Sequence, residues 1–315
     1  MLRILVFPAP DASAPPVGVR VYARSLLAAI AGTPEIQLVA DPAQADVILN
    51  LDGRFRGRRG CATVTTVLDA GHLYRRNAYT LPELAAQTWR TASAARRSDA
   101  VLVPSDAVAF ALESRLKVPA RSIRLYEALP EPGFRRRTNA EVQGLRAALA
   151  LPERYFVFVG RRSRRKNLLL LERAWQRFSA GRAGGAGLVL AGPGPGGVEG
   201  ALDLGYVERS ALPVLLSGAL AWLNPSHYEG SALGALEALA CGAPALVAAA
   251  GALPRAIGRA GWVLSENDPE VWGSALSTLL NDQEARGAMV AAGLKLTAER
   301  RSANNAAARA LAAFR

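Results

Sequence analysis

Short apolar runs alternate with amphipathic helical stretches along the chain, and the alternation starts twice. In the first half the strand-like runs are LRILVF (2–7), IQLV (36–39), DVILNL (46–51), ATVTTVL (62–68), AVLVP (100–104) and SIRLY (122–126). Helical periodicity falls near 20–31, 82–97 and 105–116. Strand followed by helix, repeated, implies parallel pairing, and a parallel sheet is covered on both faces. The segment EALPEPGFRRRTNA (127–140) is Pro-rich and then basic, and reads as a linker. After a helix at 139–149 the pattern restarts with YFVFVG (155–160), LVLAG (188–192), a strand near 202–207, LAWLN (220–224) and ALVAA (245–249). Helices are expected near 209–217, 268–281 and 283–297, and ERRSANNAAARALAAFR closes the chain as a terminal helix. The pattern predicts an α/β fold of two doubly wound, Rossmann-like domains facing across a cleft, with ligands at the carboxyl ends of strands.

Composition agrees with two such domains. The 315 residues are half apolar, enough for two sizeable cores. No run approaches the ~20 apolar residues of a membrane span. MLRILVFPAP is broken too early by proline to be a signal peptide and reads as a first strand. The two cysteines, Cys61 and Cys241, match no metal spacing and fit a reducing, cytoplasmic setting. The net charge of +12 comes mostly from arginine and is spread over both halves. Such a surface suits phosphorylated small molecules, anionic lipid or nucleic acid, and equally an arginine-rich composition with no partner. Nucleic-acid binders interleave aromatics and carry recognition motifs, and the sequence shows neither. The basic runs 54–60 and 134–137 are candidates for peripheral contact with an anionic membrane, or plain solvated surface.

Two stretches in the second half carry chemistry. In FVGRRSRRKNLLLL (158–171) a strand ends at Gly160, and a turn rich in arginine follows. There Arg161 and Lys166 are placed to meet an anion. The Gly-Lys-Ser/Thr of a P-loop is absent. In HYEGSALGALEALACGAP (227–244), Glu229 and Glu237 stand eight positions apart in an otherwise small and apolar run. A buried carboxylate costs several kcal/mol without a partner, so these two need one. A helix is expected from about Ala232 to Ala240, with Ser231 as its cap and free N–H groups suited to phosphate. Glu237 is suited to a vicinal diol such as that of ribose. Each glutamate also has a plain reading, as a surface loop acid or as a cap for a neighbouring N–H.

Together the stretches resemble the retaining nucleotide-sugar transferases of glycosyltransferase family 4, which have the GT-B fold. Gly160, Arg161, Lys166 and Asn167 match that family's Gly-Arg strand end and Lys-Asn turn. Pro225, Ser226, Glu229, Gly230, Glu237, Ala238, Cys241, Gly242 and Pro244 match its Pro-Ser…Glu-Gly…Glu-Ala…Cys-Gly-x-Pro signature, and Leu253-Pro254 its later Leu-Pro. The resemblance implies that residues 1–135 hold the acceptor and 136–298 the nucleotide-sugar, with 299–315 crossing back to the first domain. It implies Arg161, Lys166 and Glu229 as catalytic residues. It implies Gly18, Asp69, Gly160, Gly230, Ser231, Ala232, Leu233 and Glu237 as donor-binding residues. No cofactor or metal is implied; the partners are a nucleoside-diphosphate sugar and a hydroxyl acceptor. The expected reaction is hexose transfer with retention, in envelope or exopolysaccharide synthesis.

The first half follows the family pattern more loosely. VGVRVYARSLL (17–27) looks like its glycine loop and first helix, and VTTVLDAGHL (64–73) like the strand that ends in His-Asp. Asp69 matches the Asp, but Leu68 occupies the His position. His72 is either a substitute or an ordinary loop histidine. Arg255 stands where relatives often carry Glu. The Leu68 departure motivates an alternative, a non-catalytic GT-B scaffold that binds a nucleotide sugar or a protein partner.

Overall fold

The computed structural model describes residues 1–8, 17–180, 185–265, 267–302 and 314. The chain forms two compact units, Met1–Leu129 and Pro130–Ser302. Phe314 packs against the core of the first.

The first unit contains strands β1 (Leu2–Phe7), β2 (Ile36–Val39), β3 (Val47–Asn50), β4 (Ala62–Thr66), β5 (Ala100–Val103) and β6 (Ile123–Leu125). Its helices are α1 (Val17–Ala31), α2 (Leu81–Arg97) and α3 (Asp106–Leu116). All strand pairs are parallel, in the order β2-β1-β3-β4-β5-β6. The central strands are buried on both faces, which is why they read as unbroken apolar runs. Ile4, Leu26, Ile30, Leu49, Val64, Leu102 and Tyr126 form the core, and Leu68 packs against it. Local signals set the helix starts. Thr80 and Glu83 form a capping box on α2, and the Ser105 hydroxyl accepts the Val108 N–H on α3.

The second unit opens with α4 (Asn139–Ala148), capped by a Thr138–Glu141 box. Its strands are β7 (Tyr155–Val159), β8 (Gly187–Ala191), β9 (Leu202–Asp203), β10 (Ala221–Asn224), β11 (Ala245–Ala248) and β12 (Gly261–Leu264). Between and after them run α5 (Leu168–Ala180), α6 (Leu212–Ser217), α7 (Leu233–Ala240), α8 (Leu253–Ile257), α9 (Pro269–Asn281) and α10 (Gln283–Ser302). The parallel sheet has the order β12-β11-β10-β7-β8-β9. Connections from β7 run outward through β8 to β9, and then jump back to β10. The order therefore reverses between β7 and β10, which is where doubly wound sheets open a crevice for ligands. Phe156, Phe158, Leu171, Trp175, Leu188, Trp272 and Leu276 fill the core beneath.

Four sequence expectations need adjustment. β9 has two residues rather than the expected 202–207, because the Asp203 carboxylate accepts the Gly205 N–H and Gly205 turns the chain at φ +59. β12 is an edge strand of four residues that the periodicity does not reveal. The 127–140 linker is partly structural: Phe134 is 2% exposed and belongs to the second unit. The helix expected at 283–297 continues to Ser302; the rest of the 299–315 helix lies outside the described residues apart from Phe314.

Candidate functional site

The second unit brings its chemistry together at the reversal point. β7 ends at Val159, and from Gly160, φ +152, the chain leaves through a turn whose hydrogen bonds run to β8 and the Gly-rich loop that follows it. Gly160 N–H donates to Ala191 O and Arg162 N–H to Pro193 O, both at 2.8 Å. A Cβ on Gly192 would lie 2.1 Å from Gly160 O, and one on Gly194 would lie 2.6 Å from Arg162 O. These two glycines of LAGPGPGG let the two loops lie backbone to backbone. Arg162 is buried and structural, donating to Gly196 O and to the Asp203 carboxylate.

The turn then lays Lys166 over Gly160 and onto Glu229. Lys166 Nζ lies 2.6 Å from Glu229 Oε1, and Arg165 Nη1 lies 3.2 Å from the same oxygen. The backbone of the two loops is tied as well. His227 N–H donates to Arg165 O (2.9 Å), and Arg165 Nη1 donates to Tyr228 O (2.6 Å). At the end of β10, the Asn224 side-chain oxygen accepts the N–H and the hydroxyl of Ser226, which fixes the bend into the HYEG loop. Behind it, Ala252 N–H donates to Glu229 O (2.8 Å), and Gly251, φ +56, has no room for a Cβ, which would meet that oxygen at 2.1 Å. Burial pushes the Glu229 carboxyl up. Lys166, Arg165 and the Lys166 and Ser226 hydrogen bonds outweigh it and hold the group at about 2, so Glu229 is ionised.

Glu237 lies in the middle of α7 and is 8% exposed. It accepts from Arg209, whose Nε donates to Glu131 Oε2 at 2.6 Å and whose guanidinium stacks on the Phe134 ring at 4.6 Å. Burial raises Glu237 most, Arg209 opposes it and Glu131 adds to the rise, so Glu237 titrates at about 7. α7 begins at Leu233, one residue later than expected, with Ala232 at the cap position. Ser231 is not the cap itself; its hydroxyl accepts the Leu233 N–H at 3.3 Å. Gly230 and Ala232 are buried beside it.

The remaining expected residues are placed less tightly. Arg161 is exposed just after β7. Gly18 is exposed in the first turn of α1 with open space around its Cα. Asp69 follows β4 and accepts the Gly71 N–H (2.7 Å). His72 is 2% exposed, edge-on to Tyr79, with Nε2 unbonded; burial lowers it to about 4, leaving it neutral. Leu68, in the position of the family's His, serves the core of its unit. Burial pushes the Cys241 thiol up to about 12, in keeping with a packing role. No cluster of three or more His, Cys, Asp or Glu suited to a metal occurs among the described residues.

Sequence reasoning missed Arg165, Arg209, Glu131 and Gly251. Arg209 and Glu131 sit in polar stretches with no local signature. Gly251 precedes Leu253-Pro254, and only the close approach of Glu229 explains it.

The two parallel six-stranded sheets with their helices are the α/β arrangement of GT-B glycosyltransferase structures. Residues 153–282, which hold the reversal point and both glutamates, match the family model described as Glycosyl transferases group 1. O-antigen chain mannosyltransferase B of Escherichia coli is 37% identical over 91 residues, 29% of this chain and 24% of that protein. A D-inositol 3-phosphate glycosyltransferase of Salinispora arenicola is 33% identical over 200 residues, 56% of this chain and 44% of that one. The matches thus span less than half the length of these curated relatives. Among solved structures, Anabaena HepE in complex with UDP-glucose superposes with a TM-score of 0.75 at 15% identity, covering 100% of this chain and 99% of that one.

Proposed function

We propose that the chain is a nucleotide-sugar-dependent glycosyltransferase that transfers a hexose to a hydroxyl acceptor with retention at the anomeric carbon, in envelope or exopolysaccharide glycan synthesis. The observation that carries this reading is the pairing of Lys166 and Arg165 with ionised Glu229 across the carboxyl ends of β7 and β10, with Glu237 on the adjoining helix. Similarity to a mannosyltransferase and an inositol-phosphate glycosyltransferase, and to a fold neighbour that holds UDP-glucose, supports it.

In this reading Lys166, with exposed Arg161 at the same turn, opposes the negative charge that grows on the departing nucleoside diphosphate. Stabilisation of that charge by preorganised cations is the main source of rate. Glu229, fixed by the Lys166 and Arg165 contacts, presents its second oxygen to sugar hydroxyls. Glu237 accepts from the ribose diol. The N–H groups at Ser231, Ala232 and Leu233 hold phosphate and sugar oxygens, with Gly160 and Gly230 allowing close approach. Gly18 and Asp69 are the contribution we assign to the first unit. No side chain is assigned as a nucleophile, and the cationic side chains take the electrostatic role without a metal. We place the chemistry in the cytoplasm.

The test is thermal stabilisation by a panel of UDP-, GDP- and ADP-sugars, comparing wild type with Glu237→Ala. A donor at 100 times its dissociation constant adds about 2.7 kcal/mol. A shift with one nucleotide class, lost in the variant, is the expected result and names the base. No shift with any donor overturns the reading. The core position of Leu68 favours one second reading, a scaffold that binds a nucleotide sugar or a protein without transfer. Release of nucleoside diphosphate that depends on any hydroxyl acceptor excludes it.

A further inference from the structure

One face of α2 is exposed among the described residues. Leu81 is 82% exposed and Trp89 72% exposed, and exposed Ala85 lies between them at helical spacing. Positions i, i+4 and i+8 form one stripe on a helix, about 12 Å long at its ordinary rise. The opposite face, Thr91, Ala94 and Ala95, is buried in the unit. Nothing local requires a leucine and a tryptophan in water, and isolated exposed apolar residues are common, but an aligned pair on one helix is not. Phe110 on α3, 63% exposed, adds a third large side chain in the same unit.

The structure also seats the RFRGRRG run against this helix. The Arg97 guanidinium stacks on the Phe55 ring at 4.0 Å. Arg90 lies against Gly53, whose added Cβ would meet its Cδ at 3.6 Å. Arg54, Arg58 and Arg59 are exposed on that loop, and Arg96 and Arg97 at the end of α2. The nearby acids are engaged: Asp52 holds Arg56 at 2.8 Å, Glu83 is tied into the Thr80 cap, and Asp99 accepts the Thr63 N–H. An apolar stripe that carries a tryptophan is therefore bordered by a loop and helix end with more exposed arginines (Arg54, Arg58, Arg59, Arg96, Arg97) than acids (Glu83, Asp99) among the described residues.

We propose that α2 and the 54–59 loop dock this unit onto an anionic lipid surface, with Leu81 and Trp89 entering the headgroup boundary and the arginines meeting lipid phosphates. A helix with Leu and Trp on one face and arginine at its flank lies in the interface plane, and tryptophan prefers that depth. Juxtaposed arginines add attraction to an anionic leaflet. The stripe is short, about 12 Å, too small for the broad complementary patch of a stable protein complex, which suits a lipid surface better. The docking does not depend on sugar transfer, so its test is separate from that of the donor site.

The experiment is cosedimentation of the full chain with vesicles of phosphatidylcholine, alone or with about a third phosphatidylglycerol, at low and high salt. The variants are Leu81→Ser/Trp89→Ser and Arg54→Glu/Arg59→Glu/Arg96→Glu, all at exposed positions, with unfolding temperature as the control for folding. The expected result is binding to the anionic vesicles only, weakened by salt, and reduced about tenfold or more in each variant while the unfolding temperature holds. Equal binding by the variants, equal binding to neutral vesicles, or no binding overturns the proposal. So does self-association that the Leu81→Ser/Trp89→Ser change abolishes, which would assign the stripe to a second copy of the chain.

Discussion

Glu229 and Glu237 stand eight residues apart, both nearly buried, yet one is held at about 2 and the other near 7. Burial opposes ionisation at both. The difference lies in the company each keeps. Glu229 has Lys166 and Arg165 on one oxygen, with Ser226 adding a hydrogen bond. Glu237 meets Arg209, which it shares with Glu131, whose own charge repels. Two cations on one carboxylate oxygen give a fixed anion; a cation shared with a second carboxylate gives a group that titrates near neutrality. The first arrangement suits a rigid electrostatic fixture. The second suits a carboxylate that exchanges partners when a ligand arrives.

The backbone differs too, and it supplies the largest expected effect. Glu229 rests on Gly251, where a Cβ has no room and φ is positive. Gly251→Ala is expected to cost about 3–4 kcal/mol or to prevent folding, read as urea-midpoint loss, while Gly234→Ala near Glu237 on α7 stays close to wild type. Next, Lys166→Ala should lower transfer by about 10²–10³-fold, as loss of one charge-stabilising donor does, with secondary structure retained by circular dichroism. Turnover like that of wild type would sink its assigned role.

The pH dependence separates the two glutamates by sign. Glu229 is depressed from its ordinary 4.5, so its stabilisation is present above pH 4.5 and is lost as pH falls toward 2. Glu237 is raised, so its contribution is full below pH 4.5 and is lost as pH rises through 7. Each is worth about 3 kcal/mol at its limit. Glu237→Gln should therefore gain stability relative to wild type between pH 5 and pH 8, whereas Glu229→Gln should flatten the acid limb between pH 4.5 and 2. Melting curves across pH distinguish them; identical profiles would break the comparison. Arg209→Met removes the cation on Glu237 and should raise its pKa further, giving a donor KM that improves with pH while turnover at saturating donor changes little. The cost in donor binding at pH 7 is expected to be about 1–3 kcal/mol. Smallest of all, Glu131→Gln should lower the Glu237 pKa by removing repulsion, with a stability change under about 1 kcal/mol because Glu131 is a third exposed.

Much of this was legible in the sequence because it rests on local rules. The apolar runs of β1, β3, β5, β7, β8, β10 and β11 appear at their expected places because buried parallel strands carry no polar alternation. The Thr80, Ser105 and Thr138 caps mark helix starts for equally local reasons. β12 escaped because four residues on an edge carry too little pattern, and β9 ended early at a glycine turn. At the site, Lys166 and Glu229 stand out separately in the sequence, 63 residues apart, and only the tertiary structure brings them into contact.

The sequence by itself determined the two α/β units, the strand ends that carry polar residues, and the identity of both glutamates. The tertiary structure decided which cation each glutamate receives, and so which is a fixed anion and which titrates. Secondary structure follows from periodicity and capping within a few residues. Charge state follows from burial and from distances between β7, β10, α7 and the 131–134 segment, and the order of the sheet, which reverses between β7 and β10, sets those distances.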